Sequence, residues 1–369
     1  MQRSLLALFL VFLSAAPVNA QPPVRLPWIK VDTAQKGFIT HDTNTPFCPW
    51  GFNYDHDAQG RLLEDYWETE WTKIENDFRQ MRYLGANVVR IHLQFGRFCP
   101  KPKEVHASAL QRLKKLLQLA EREGLYLDLT GLGCYHKQDV PTWYDQLGEH
   151  ERWEAQAFFW RAVARVAADA PAVFCYDLMN EPVVPGGKRS AGAWLGPPFG
   201  DKHFVQFITL EQANRPRPQI ARAWTKHLVQ AIRQEDTKHL ITIGMVDWSL
   251  DRPGLTSGFV PQQIAPELDF IAVHLYPEAK KLAEAKATLQ GFQVGKPVVV
   301  EETFPLRCSG QQLEEFIDQH RGLAQGWISF YWGGTLDDLR ASQKLPERLL
   351  LDWLERFQKR AKQMHQPPR

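Results

Sequence analysis

"AVFCYDLMNEP", residues 172–182, is a nearly unbroken apolar run that ends on an amide, an acid and a proline. A run this short, bounded by turn residues, reads as a strand buried on both faces. Asn180, Glu181 and Pro182 also make an ordinary turn, so the rest of the chain has to decide what they are for. Runs of the same kind recur at 47–54, 86–93, 125–132, 239–248, 269–277, 296–305 and 326–334. Helical patterns lie between several of them, at about 67–84, 106–123 closed by Gly124, 151–168 and 220–234. Eight such strands joined by crossovers fit an α/β fold closed on itself, a (β/α)8 TIM barrel, better than an open sheet. No glycine-rich phosphate loop is present, and no linker divides the chain, so one domain is expected over residues 21–369. Residues 21–37 should close the barrel floor or run along its side. The segment from Val183 to Arg217, with "PGG", "GPPFG" and "NRPRP", reads as a long loop or small lid on the fourth strand.

The chain has 369 residues, 44% hydrophobic and 23% charged, enough for a large core. Its net charge of +2 comes from intermixed signs with no basic run, so no nucleic acid is expected as a partner and a neutral one is. "MQRSLLALFLVFLSAAPVNA" has a basic start at Arg3, an apolar stretch from Leu5 to Ala16 and small residues up to Ala20. This is the pattern of a secretory signal over residues 1–20, cleaved after Ala20, with a retained anchor as the alternative. A secreted or periplasmic monomer without stable membrane insertion is expected. Of the five cysteines, Cys99 and Cys134 are the best candidates for a disulfide, with buried free thiols the equal alternative.

A barrel places its chemistry at the C-terminal ends of its strands. Those ends carry Asn53 and Tyr54, Arg90 and His92, Asp128 and Thr130, Asn180 and Glu181, Trp248, His274 and Tyr276, Glu301 and Glu302, and Trp332. Strands four and seven lie across the ring from each other, so a glutamate from each would face the other. Two carboxyl groups about 5–5.5 Å apart are what a retaining glycosidase needs, one as nucleophile and one as acid then base. No His/Asp cluster suits a catalytic metal, no strand ends in a Schiff-base lysine, and no cofactor is expected. A carbohydrate-binding barrel would keep the tryptophans but need neither glutamate.

These motifs together resemble glycoside hydrolase family 5, the cellulase- and mannanase-like clan of retaining β-glycosidases. "GFITHDTNTPFCPWGFNY" is similar to that family's entry into its first strand, "NVVRIHL" to its second, "YDLMNEP" to its acid/base motif, "VHLYP" to its sixth strand, "KPVVVEETFP" to its nucleophile strand and "FYWGG" to its close. The resemblance implies a β-glycosidase acting on a β-linked glucan or related polysaccharide, with a β-mannanase or an exo-acting enzyme as alternatives. It makes Glu181 the acid/base, Asn180 the partner of the sugar 2-hydroxyl, Arg90 and Tyr276 the holders of the nucleophile, His274 a lining residue and Trp332 the sugar platform. The nucleophile falls on Glu302. Strand alternation lets only one of Glu301 and Glu302 enter the barrel, and Glu301 is the alternative because a one-residue slip exchanges them. Thr130 stands where many members carry a histidine, and His136 is a candidate to replace it. Trp50, Trp67, Trp143, Trp194 and Trp248 also fall on or near mouth loops as candidate subsites, whereas Trp153, Trp160, Trp224 and Trp353 sit in helical patterns and are expected to pack.

Overall fold

Strand after strand of the computed structural model is buried along its whole length, which is why each reads as an unbroken apolar run. The structure describes residues 25–367 apart from Thr33, Gln35, Lys36 and Pro253; the signal segment and its expected cleavage point lie outside the described residues. A small antiparallel sheet, β1 (Ile29–Asp32), β2 (Gly37–Thr40) and β3 (Pro46–Phe47), comes first. Then come β4 (Trp50–Tyr54), β5 (Val88–Gln94), β6 (Tyr126–Gly133) and β7 (Val173–Asn180). A short parallel pair, β8 (Pro182–Val183) and β9 (Gln206–Phe207), interrupts the series before β10 (Leu240–Val246), β11 (Ile271–His274), β12 (Val298–Thr303) and β13 (Gly326–Ser329). The eight long strands pair in parallel and close into a barrel, β13 returning to β4. The (β/α)8 barrel expected from the sequence is the fold.

The long crossover helices are α1 (Trp71–Tyr83), α2 (Ala107–Glu123), α3 (Glu149–Ala167), α4 (Arg217–Arg233), α5 (Leu282–Gly291), α6 (Gly310–His320) and α7 (Leu345–Met364). In α2, Ala109, Leu113, Leu116, Leu117 and Ala120 form the buried face at helical spacing. Gly124 ends it in the left-handed region at φ 70°, and Leu125 N–H reaches back to the Ala120 carbonyl. Among the described residues, the crossover from β10 to β11 carries short helical turns at Asp247–Ser249, Pro261–Ile264 and Ala265–Glu267 in place of a long helix.

The N-terminal sheet closes the floor. Phe38 sits with its ring 5.2 Å from both Phe174 and Phe270, at the start of β7 and just before β11, within a core cluster separate from the main one. The five cysteines are unbonded, and Cys99 and Cys134 are buried thiols. Among the described residues no helix is long and apolar enough to cross a membrane.

Candidate active site

At the mouth, Arg90 of β5 is the hub. Its side chain is fully buried, and each end of the guanidinium holds two groups. Nη1 donates to Glu302 Oε1 at 2.6 Å and to Asn53 Oδ1 at 2.9 Å; Nη2 donates to Asp177 Oδ2 at 2.7 Å and to Asn180 Oδ1 at 3.0 Å. Tyr276 O–H donates to the other Glu302 oxygen at 2.8 Å. Asp177 is held in turn by Thr130 Oγ1 at 2.8 Å and by the Gly244 N–H at 2.7 Å.

Glu181 follows β7 directly with φ 47°, a left-handed conformation that costs a residue with a Cβ about 1 kcal/mol or more. Its N–H donates to the Gly244 carbonyl at 2.9 Å, which anchors the turn. The side chain is 19% exposed, against 9% for Glu302. His274 of β11 stands between them, Nδ1 at 2.9 Å from Glu181 Oε1 and 3.4 Å from Glu302 Oε2. Burial opposes the charge on His274, but Glu302, Glu181 and Glu301 outweigh it and lift its pKa to about 10. Oxygens of Glu181 and Glu302 lie within 4.8 Å of each other. Burial, together with the Glu181 charge, raises the Glu302 carboxyl, and His274 and Arg90 pull it back. His92 is the opposite of His274: burial and then Arg90 bring its pKa down to about 3. It is therefore a neutral ring, its Nε2–H directed to Asn53 Oδ1 at 3.1 Å and its Nδ1 2.5 Å from the Tyr135 hydroxyl.

Among the described residues, two groups have the donor types of a metal site, Glu181 with His274 and Glu302, and Asp128 with Cys175 and Glu301. The Arg90 guanidinium borders both, at 2.6 Å from Glu302 and 3.7 Å from Glu301, and His274 is itself a cation. A further cation is electrostatically opposed in either place.

A family model described as cellulase (glycosyl hydrolase family 5) matches residues 41–320, well over half of the chain. The chain belongs to glycoside hydrolase family 5. The solved structures it resembles include the exo-β-1,4-mannosidase Op5Man5 from Opitutaceae bacterium strain TAV5 (TM-score 0.65, 17% identity, 91% of this chain and 62% of that one). The chain thus spans less than two thirds of that protein. Others are a β-mannanase from the blue mussel Mytilus edulis (0.62, 16%, covering 91% and 96%) and a GH5_18 protein from Bifidobacterium longum subsp. infantis (0.63, 18%, covering 87% and 80%). At these identities the likeness is one of fold. No curated protein sequence matches.

Within this family 5 barrel the residues singled out in the sequence, Arg90, Asn180, Glu181, His274, Tyr276 and Glu302, are brought together. Four expectations are corrected. Both Glu301 and Glu302 enter the barrel, because β12 bulges: Val300 pairs with Val273, yet Glu302, two residues on, pairs with the next residue, His274. Glu301 takes the deeper position, fully buried, Oε2 3.7 Å from both Arg90 Nε and His274 Nε2. Trp332 is only 1% exposed and packs edge-on to Phe52, so it presents no face to the mouth. Phe330, half-buried at the end of β13 with its ring 6.4 Å from that of Tyr276, does. His136 lies 4.0 Å from Asp201, and it is Thr130 itself that reaches the Arg90 group, through its bond to Asp177. Trp50, Trp67 and Trp194 are packing residues; Trp50 stacks on Phe357 of α7 at 4.1 Å. Trp143 is half-buried against Phe95, with Nε1 donating to the Pro100 carbonyl, and Trp248 is half-exposed after β10.

Asp177, Gly244 and Phe330 were not singled out. Asp177 had a signal, since an acid inside a buried strand requires a cation. Gly244 had one too, as a glycine inside a strand marks close approach of something else. Phe330 had none, because three aromatics in succession do not say which faces the mouth.

Proposed function

We propose that this family 5 enzyme is a secreted or periplasmic monomer that cleaves β-glycosidic bonds by double displacement, with Glu302 as nucleophile and Glu181 as acid and then base. The observation that carries this is the pair of carboxylates within 4.8 Å, in unlike surroundings. That spacing suits retention, not the wider gap that leaves room for a water between the carboxyls. Glu302 is gripped by Arg90, Tyr276 and the His274 cation, which favour the ionised form a nucleophile needs. Glu181 takes one bond from His274 at Oε1 and keeps Oε2 free to carry the proton. It delivers that proton to the leaving oxygen while Glu302 bonds to the anomeric carbon. Glu181 then removes a proton from the water that releases the sugar with retained configuration. Asn180 donates one Nδ2 hydrogen to the Phe204 carbonyl and has a second for the sugar 2-hydroxyl. Phe330 replaces Trp332 as the aromatic wall.

The first twenty residues support export, and the assembly of both carboxylates, Arg90 and Tyr276 from one chain supports a working monomer. The partner is a neutral oligosaccharide or polysaccharide. Because the similar structures include enzymes described as β-mannosidase and β-mannanase, β-mannosides join β-glucans as the substrates to try first. The test is sugar release from mannan, β-glucans, xylan and aryl β-glycosides by the mature protein, Glu181→Gln and Glu302→Gln. Each substitution should lower kcat/KM by about 10²–10⁴. Glu181→Gln should lose least on aryl glycosides whose leaving group needs no proton. Turnover that survives Glu302→Gln, with the same anomeric product, would remove Glu302 from the mechanism.

A further inference from the structure

Between β7 and α4 the chain makes a long excursion, residues 183–216, and its path is specific. The return leg pairs with β8, directly after Glu181. Before that it lies along the end of β6, where the His203 N–H donates to the Tyr135 carbonyl at 2.9 Å and Gln206 Nε2 to the Leu132 carbonyl at 2.7 Å. Phe204 packs edge-on to Tyr135 at 5.0 Å. The tip, a turn from Phe199 to Lys202 closed by two backbone hydrogen bonds, goes on to the loop after β4. There Lys202 Nζ lies 3.4 Å from where a side chain on Gly60 would begin.

Lys202 is only 5% exposed, an uncommon state for a lysine. It pairs with Asp201 at 2.8 Å and adds its charge to those acting on buried Asp55. Asp55 Oδ2 is bonded to His56 at 2.7 Å, but Oδ1 is buried with no hydrogen-bond partner among the described residues, 3.9 Å from His92 Nδ1. His56 stacks on Tyr331, beyond β13, at 4.3 Å. A continuous barrier thus runs over the strand ends from β7 through β6 to β4 and β13. Glu181 leans away from it, toward His274 on β11.

We infer that this barrier closes the glycone end of the site, so that the enzyme removes sugar units from the non-reducing ends of neutral β-linked oligosaccharides. The inference rests on the two-glutamate reading. An acid that leans to β11 protonates a leaving oxygen on the β10–β11 side, which puts the sugar being transferred toward the barrier. A chain continuing beyond that sugar would run into Asp55, His56 and Lys202. A terminal sugar instead offers hydroxyl groups, which suit an unpartnered carboxylate oxygen and a buried ammonium.

The experiment uses β-1,4-linked manno- and gluco-pentamers tagged at the reducing end. The expected result is stepwise shortening from the untagged end, the longer tagged products preceding the shorter. Tagged products of every length from the first time point would overturn the inference while leaving the two-glutamate reading intact. If the wild-type protein cut no glycoside probe at all, that reading would fail and take this one with it. Replacing residues 198–202 by two glycines should raise the ratio of viscosity loss to reducing-end release on a soluble polymer about tenfold. Should that deletion not fold, Lys202→Ala keeps the loop and should raise KM for an aryl β-glycoside by a similar factor. An unchanged KM together with an unchanged product ladder would also overturn it.

Discussion

Arg90 and His274 are two buried cations among five acids, Asp128, Asp177, Glu181, Glu301 and Glu302, and their balance decides which of the deepest pair, Asp128 and Glu301, keeps a proton. Burial and the Glu301 charge push Asp128 well above the ordinary range, whereas Arg90 and His274 overcome burial and hold Glu301 below it. Asp128 is therefore the neutral partner and Glu301 the anion. None of the four oxygens of the pair has another hydrogen-bond partner among the described residues, as expected where one proton serves two buried carboxyls. Nearer the surface, the same reasoning gives His274 a measurable role. In His274→Asn, Glu302 loses one of the two charges that keep it ionised, so the acid limb of the kcat/KM profile should move up by about one pH unit, or about 1.4 kcal/mol. A limb that does not move would mean that His274 is neutral in the working enzyme. The effect on stability has the opposite dependence from that of a salt-bridged aspartate. A pKa raised from 6.5 to about 10 on folding gives stabilisation that is complete below 6.5 and is lost as pH rises through about 10. The urea midpoint of the wild-type protein should therefore fall across that window more steeply than that of His274→Asn.

At the level of elements, the site depends on two bulges on facing strands. In β7, Asp177 pairs with Thr242 and Asn180 with Gly244, so three steps on one strand meet two on the other and both side chains reach Arg90. The bulge in β12 does the same for Glu301 and Glu302. This is why strand alternation, applied to "KPVVVEE", wrongly kept one of the two glutamates out of the barrel: period two holds only while the ladder is regular, and a bulge leaves no mark in the residue types. The aromatic run after β13 was illegible for a related reason, since a one-residue change of twist decides whether Phe330 or Trp332 faces the mouth. The strands themselves were legible, because full burial writes itself as apolar continuity, and so was the end of α2 at Gly124. Gly244 is where the two bulged strands become testable. A Cβ there would lie 2.8 Å from Arg90 Nη2 and from His274 Nε2 and 3.0 Å from Glu301 Oε2. None of the three can withdraw without breaking a buried polar contact. Gly244→Ala should cost about 1–3 kcal/mol by overpacking, read as a lower urea midpoint, and should lower kcat by displacing Arg90. Unchanged stability and turnover would show that the centre of the barrel yields more than its packing implies.

Across the whole molecule, chemistry and closure occupy opposite ends of the barrel. The order of eight strands and the facing of strands four and seven followed from the sequence because parallel crossovers leave few ways to arrange such runs. The role of residues 21–37 did not, since a short antiparallel sheet on the floor and a strap along the side have the same composition. Phe38 distinguishes them physically. It is 3% exposed, contacts the rings of Phe174 and Phe270, and belongs to a core cluster at the end of the barrel away from Glu181 and Glu302. Truncating a buried phenylalanine typically costs about 3–5 kcal/mol, because the transfer free energy is lost and a cavity remains. In a (β/α)8 barrel that loss at the floor belongs to stability and not to the reaction. Phe38→Ala should thus lower the urea midpoint strongly while kcat and KM on an aryl β-glycoside, measured well below the unfolding transition, stay within about twofold of wild type. A matching fall in kcat would mean that the floor is mechanically coupled to Arg90 through β7 and β5, and that the two ends of the barrel do not act independently.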